Sequence, residues 1–330
     1  MKVFCYGVRR VERPLFEEIN EQFHYDLVLT ARYLDTEESA RLAKGCDAVL
    51  LRGNCKANRQ NLQVFKELGI PYLLTRSVGT DHIDLKAAHE LGFQMARTPA
   101  ASPYAVAELA VSMAFALHRR LPYIVSRTHM GQFETDPEMF NNEVNGSTVG
   151  IIGIGRIGQI VARVFSSLSA RVLAYDPYPP KGIEEFCELV DKEYLIRNSD
   201  IITLHCPYIA SQGKVLGEKE FEMMKKTAIV INCARGELVD TEALYRAIST
   251  DQIYGAGLDT LENESKFFFK MPEEYDENMT VIQGVKNLYP RVISTPHLGS
   301  YAVKATKQTI EASFENLRKI AAGEVCENAI

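Results

Sequence analysis

The sequence predicts an α/β protein of two domains, each built on a parallel sheet. Short apolar runs alternate with charged, helix-compatible segments through roughly the first hundred residues, and a second such series starts at Val149. A glycine-rich turn of the dinucleotide-binding type sits at the head of that second series. A chain of 330 residues has room for two such domains, because single cores usually stop growing at about 250–300 residues.

In chain order, the first strands are expected at residues 3–6, 25–29, 48–51, 72–74 and 93–96, with helices near 36–44 and 85–91 between them. Ser102-Pro103 then opens a mostly apolar segment that runs through Leu117, with serine suited to cap a helix and proline tolerated in its first turn. Its continuous hydrophobicity suggests a helix buried between domains or subunits. The second series places strands from Val149, at 171–175, 200–205, 228–232, 254–258 and 292–294. Its loops read as short except for 262–287, where Phe267-Phe268-Phe269 either covers a neighbouring surface or packs into the core, with core packing the better reading.

Composition narrows the function classes. The formal charge of −6 comes from 37 basic and 43 acidic side chains with no long run of either sign, which argues against nucleic acid or an anionic membrane as partner. No stretch approaches the roughly 20 apolar residues that cross a bilayer, and Met1-Lys2 leads directly into a strand rather than a secretory leader, so a cytoplasmic location is expected. Seven scattered cysteines, an odd number without a CxxC pair, fit reduced and mostly buried thiols. The histidines show no metal-ligand spacing, and no metal is expected.

Gly153-Ile154-Gly155-Arg156-Ile157-Gly158 follows the strand-like residues 148–152 and precedes a helix-compatible stretch. Gly153 permits a tight turn, Gly155 lets backbone approach a pyrophosphate, and Gly158 allows the helix to pack closely, while the helix start favours negative charge. Asp176 ends the next strand at the distance expected of a carboxylate that accepts hydrogen bonds from the adenine ribose. Its charge would repel a ribose phosphate, so NAD(H) is favoured over NADP; the alternative for Asp176 alone is a turn before Pro177. Arg156 either approaches the pyrophosphate or is solvated. Ile157, Cys206, Pro207, Cys233 and Ala234 are expected to line the same site. Asp259 either accepts from a nicotinamide carboxamide or caps the segment after it.

Arg235, Glu264 and His297 each follow closely on an expected strand of the second series, and parallel sheets collect chemistry at the carboxyl ends of their strands. The planar donor fork of Arg235 suits a substrate carboxylate, or else a surface salt bridge. An imidazole at His297 can protonate a carbonyl oxygen during reduction and take the proton back during oxidation. Glu264 can bond its other nitrogen and favour the charged ring. The plainer alternative makes His297 a turn residue and Glu264 solvent-facing.

Several motifs in order, Ser77-Val78-Gly79-Thr80-Asp81-His82-Ile83-Asp84, the glycine turn, Asn232-Cys233-Ala234-Arg235-Gly236 and Thr295-Pro296-His297, resemble the NAD-dependent D-2-hydroxyacid dehydrogenases over essentially the whole chain. The resemblance implies two Rossmann-like domains: a flavodoxin-like substrate domain at 1–101 and 298–330, and an NAD-binding domain at 102–297. It also implies that His297 is the acid/base, Glu264 its partner and Arg235 the carboxylate anchor, with backbone at Val78 and Gly79 completing that anchor. A homodimer and reduction to the R, or D, hydroxy acid are implied as well.

Within the family, Leu51-Arg52-Gly53-Asn54-Cys55, Leu288-Tyr289-Pro290-Arg291-Val292 and Pro296-His297-Leu298-Gly299-Ser300-Tyr301 most closely resemble the (R)-2-hydroxyglutarate dehydrogenases of amino-acid-fermenting anaerobes. Arg52 would then pair with the distal carboxylate of 2-oxoglutarate, the alternative being a surface arginine. Lactate dehydrogenases usually carry aromatic residues where this chain has Arg52 and Ser300. At Ala101 the chain lacks the family's usual aromatic wall residue, which admits a longer or branched side chain. D-lactate or bulkier aliphatic or aromatic 2-hydroxy acids are therefore the alternative substrates, and a non-enzymatic NAD-responsive regulatory binding protein is the alternative of another class.

Overall fold

A computed structural model describes residues 1–98 and 102–330. The chain divides into two compact units, Met1–Ser102 with Ser300–Ile330, and Pro103–Gly299. Every expected strand forms, with ends displaced by at most one residue.

In the first unit β1 (Lys2–Cys5), β2 (Asp26–Leu29), β3 (Ala48–Leu51), β4 (Tyr72–Thr75) and β5 (Gln94–Arg97) make a parallel sheet in the order β2-β1-β3-β4-β5, the flavodoxin-like arrangement. All four residues of β3 are buried and apolar, as an interior strand covered on both faces requires, whereas β2 opens with the exposed Asp26 at a sheet edge. Thr36, Asn58 and Asp84 each accept a backbone N–H at the start of a helix, which fixes where the chain turns back across the sheet. The last helix, Val303–Ala321, closes one face of the unit by inserting Phe314 edge-on among Phe16, Phe23 and Tyr25.

The second unit holds β6 (Thr148–Ile152), β7 (Arg171–Tyr175), β8 (Glu188–Leu189), β9 (Ile201–Leu204), β10 (Ile229–Asn232), β11 (Gly255–Leu258) and β12 (Val292–Ser294). They are parallel and ordered β12-β11-β10-β9-β6-β7-β8, a Rossmann sheet extended by one strand. The long apolar helix, Pro103–His118, finds its partners inside this unit: it packs on β10, β11 and the helix Arg156–Ser167, with Phe115 stacked on Phe165. Gly257 makes room for it, since a methyl there would touch Met113 Cβ at 3.0 Å.

Four features depart from the expected elements. β8 has two exposed residues and no apolar run to announce it. Helix Leu121–His129 buries none of its residues, so it carries no core-facing stripe. A second long irregular stretch, 130–147, lies beyond that helix, although only 262–287 was expected to be long. The 262–287 segment itself is not all loop: it ends in helix Thr280–Asn287, which turns Val281 and Ile282 inward and places Gly284 against the ring of Tyr245. A mid-helix glycine lowers helix propensity, which is why the stretch reads as irregular. In the same segment Phe267 is buried in the core, with Phe268 packed against it.

Among the described residues, no helix is long and apolar enough to cross a membrane, and no group of three or more His, Cys, Asp or Glu side chains could hold a metal ion. All seven cysteines are free thiols, five of them buried.

Candidate active site

The order of the second sheet reverses direction at β6 and β9, and the glycine turn leaves β6 at that point. Gly153 has φ +95°, and a methyl on it would reach Cys206 N at 2.6 Å, so the turn lies against the backbone that follows β9. Only glycine satisfies both the dihedral and the contact. Gly158 meets the carbonyl oxygen of Gly153 at 2.2 Å from an added Cβ, which locks the helix Arg156–Ser167 to the turn. Around Gly155, by contrast, an added methyl would meet nothing within 4 Å. That open space at a helix amino terminus leaves the backbone free to approach a pyrophosphate.

Asp176 follows β7 and spends one oxygen on the N–H of Ile154 and the other on that of Tyr178, each at 2.9 Å. It therefore shapes the glycine turn as well as presenting negative charge beside it. Arg156 and Pro207 are exposed, Ile157 and Cys206 half-buried, and Cys233 buried with Ala234 half-buried behind the end of β10. Burial pushes the Cys206 thiol up to about 11, which leaves it protonated and unreactive at neutral pH.

β10, β11 and β12 run side by side, with Asn232, Leu258 and Ser294 in register at their ends, so the three loops that follow leave the sheet together. The first carries Arg235. Asn232 clamps this loop by accepting from Ala234 N at 3.0 Å and donating to the Arg235 carbonyl at 2.8 Å. Gly236 then presses on the loop after β11: a methyl on it would fall 2.2 Å from the Leu261 carbonyl carbon. Glu264 stands three residues further on and accepts from Leu261 N at 3.1 Å.

The third loop presents His297 in the left-handed region at φ 52°. Asp259, fully buried, holds it there: its oxygens accept from Thr295 Oγ1 (2.6 Å), Leu298 N (2.6 Å) and Gly299 N (2.8 Å), while its carbonyl accepts from His297 N (2.8 Å). The outcome is a 2.5 Å contact between His297 Nδ1 and Glu264 Oε1. Glu264 thus fixes the ring and its tautomer and leaves Nε2 as the atom that can exchange a proton. Sequence reasoning picked out Arg235, Glu264 and His297 but missed Asn232 and Gly236, and it did not foresee Asp259 as the brace of the histidine turn.

In the first unit, Arg52 follows β3, and Val78-Gly79 follow β4. Among the described residues no hydrogen bond uses the N–H of Val78 or Gly79, whereas Arg97 and Ser77 donate to their carbonyls. Two unspent N–H groups at a strand end suit an anion. Arg52 is mostly buried, and its Nη1 donates to Glu12 Oε1 at 3.2 Å and to the Gly7 carbonyl at 3.4 Å. It is neither a free surface arginine nor an uncommitted cation. Ser300 is exposed, and Ala101 lies outside the described residues.

A Rossmann sheet with an open glycine cradle, and an imidazole-carboxylate pair at neighbouring strand ends, define a dinucleotide-dependent oxidoreductase. The model of the D-isomer-specific 2-hydroxyacid dehydrogenase NAD-binding domain matches residues 111–299. The chain is 33% identical to the D-lactate dehydrogenase of Escherichia coli strain K12 across all of both chains. It is also 33% identical to the aromatic 2-oxoacid reductase of Clostridium sporogenes, covering 99% of this chain and 98% of that one. The crystal structure of Lactobacillus jensenii D-lactate dehydrogenase with NAD+ superposes with a TM-score of 0.86 at 33% identity, covering 100% of this chain and 99% of that one.

The chain belongs to the NAD-dependent D-isomer-specific 2-hydroxyacid dehydrogenase family. It is an oxidoreductase that uses NAD(H) to interconvert a 2-keto acid and a D-2-hydroxy acid. The narrower resemblance to 2-hydroxyglutarate dehydrogenases finds no support in these relatives, none of which is named for that substrate.

Proposed function

We propose that the protein reduces a monocarboxylic 2-keto acid, pyruvate foremost, to the D-hydroxy acid, with Arg235 anchoring the carboxylate and His297 acting as acid/base. The observation that carries the roles is the His297–Glu264 contact, built from two loops and braced by Asp259. Bound NADH supplies the hydride to C2. His297 Nε2 delivers a proton to the carbonyl oxygen, and Glu264 holds the ring in the orientation for that transfer. Arg235 and the N–H groups of Val78 and Gly79 hold the two carboxylate oxygens. Cofactor contacts are assigned to Gly153, Gly155, Arg156, Ile157, Gly158, Asp176, Cys206, Pro207, Cys233 and Ala234.

The preference for an uncharged side chain is supported by the pairing of Arg52 with Glu12 and by relatives named for lactate and aromatic 2-oxoacids. A second reading, 2-oxoglutarate, is favoured by the second guanidinium, that of Arg76, which shares Glu12 with Arg52. Initial rates with NADH and pyruvate, phenylpyruvate, 2-oxoisocaproate and 2-oxoglutarate decide between them. We expect the highest kcat/KM among the first three; a clear preference for 2-oxoglutarate would sink the monocarboxylate reading.

A further inference from the structure

The first sheet has its own reversal. The chain leaves β1 for β2 on one side and then crosses to β3 on the other, so the ligand crevice of this unit opens at the carboxyl ends of β1 and β3. Arg9 follows β1, Arg52 follows β3 and Arg76 follows β4, and all three gather around one carboxylate, Glu12.

Glu12 is 3% exposed. Its Oε1 takes Arg52 Nη1 at 3.2 Å, while its Oε2 takes the backbone N–H of Arg9 at 2.8 Å and faces Arg76 Nη1 at 3.8 Å. Arg76, also buried, donates further to the carbonyls of Tyr6 and Gly7, both at 3.3 Å. Arg9 stacks its guanidinium on the ring of Tyr301 at 3.9 Å, and Arg76 lies over Phe16 at 4.9 Å. Arg76 is thus held by backbone and ring, whereas Arg52 leans chiefly on Glu12. Burial, and then the charge of Arg76, lower the affinity of Arg52 for its proton, so the site already strains against another cation.

We propose that Glu12 is the specificity-positioning residue of this crevice: it holds the Arg52 guanidinium as a neutral pair and thereby disfavours substrates bearing a second carboxylate. Two guanidinium groups, those of Arg52 and Arg76, face the single carboxylate of Glu12, so Glu12 is shared between two cations. Removing the Glu12 charge frees Arg52 to take a carboxylate from the substrate instead, because a buried guanidinium without its partner favours any available anion. The inference rests on the crevice receiving the substrate side chain, as the proposed function supposes.

The test compares the ratio of kcat/KM for 2-oxoglutarate to that for pyruvate in the wild type, Glu12→Gln, Arg52→Gln and the double variant. Glu12→Gln should raise the ratio about tenfold, Arg52→Gln alone should leave it within about twofold, and the double variant should cancel the rise. A merely structural role for Glu12 would lower both activities and leave the ratio alone. An unchanged ratio in folded Glu12→Gln, or a rise that persists in the double variant, overturns the proposal. If Glu12→Gln does not fold, Glu12→Asp decides, because withdrawing the carboxylate by one methylene should raise the ratio severalfold and an unchanged ratio again overturns it. A wild type that already prefers 2-oxoglutarate defeats the monocarboxylate reading, while the change of ratio on substitution still tests Glu12.

Discussion

Replacing His297 with alanine should lower kcat for 2-keto acid reduction about a thousandfold, within the 10²- to 10⁴-fold that a positioned acid/base typically contributes. The carbonyl oxygen must gain a proton as C2 is reduced, and the proposed donor is firmly held: His297 sits at φ 52°, a conformation that costs a non-glycine residue energy, and four hydrogen bonds to Asp259 keep it there. Strain sustained by a buried brace beside a carboxylate partner is hard to explain as packing alone. Because the glycine cradle lies beyond β6 and shares no residue with this turn, NADH affinity in the variant should stay within about twofold of the wild type. Stopped-flow turnover together with a fluorescence titration of NADH checks both halves, and a variant that turns over normally would remove His297 from the mechanism.

Arg235→Lys should lower kcat/KM by roughly 10- to 100-fold, the cost of losing one charge-assisted hydrogen bond to a carboxylate while the charge itself is retained. Lysine keeps the cation but not the fork that meets two oxygens at once. The loop around Arg235 argues for orientation as the selected property: Asn232 ties it from both sides, and Gly236 sets its distance from the loop of Glu264 by contact with Leu261. The loss should fall on KM for the keto acid at least as much as on kcat, because the proposed anchor would hold the carboxylate throughout the reaction. Steady-state kinetics with pyruvate reads it, and a kcat/KM within twofold of wild type would count against a bidentate clamp.

How much of this was legible in the sequence varied with the kind of signal. The strands were legible because buried parallel strands are continuous apolar runs, as in the four buried residues of β3, and the glycine turn because its order of strand, turn and helix leaves few alternatives. Arg235, Glu264 and His297 were singled out from one rule, that chemistry gathers at strand ends. The same rule applied to Arg9 and Glu12 after β1 would have shown the cluster that engages Arg52, but an arginine next to a charged, helix-like segment reads as surface. Pairings between distant residues carry no local pattern. Asp259 with Gly299, Gly236 with Leu261 and Glu12 with Arg52 each emerge only when the fold brings separate loops together. The helix Leu121–His129 was silent for the opposite reason, since it is at most half-buried and a helix with no fully buried residue leaves only a faint periodic trace.

Whether the braced imidazole delivers the proton is tested most directly by a single-turnover measurement in which protein in molar excess over NADH is mixed with saturating pyruvate, wild type beside His297→Ala. Single turnover isolates the chemical step from product release. We expect D-lactate from the wild type and a rate constant for NADH oxidation about a thousandfold lower in the variant, at unchanged NADH affinity. Equal rate constants in the two proteins would contradict it.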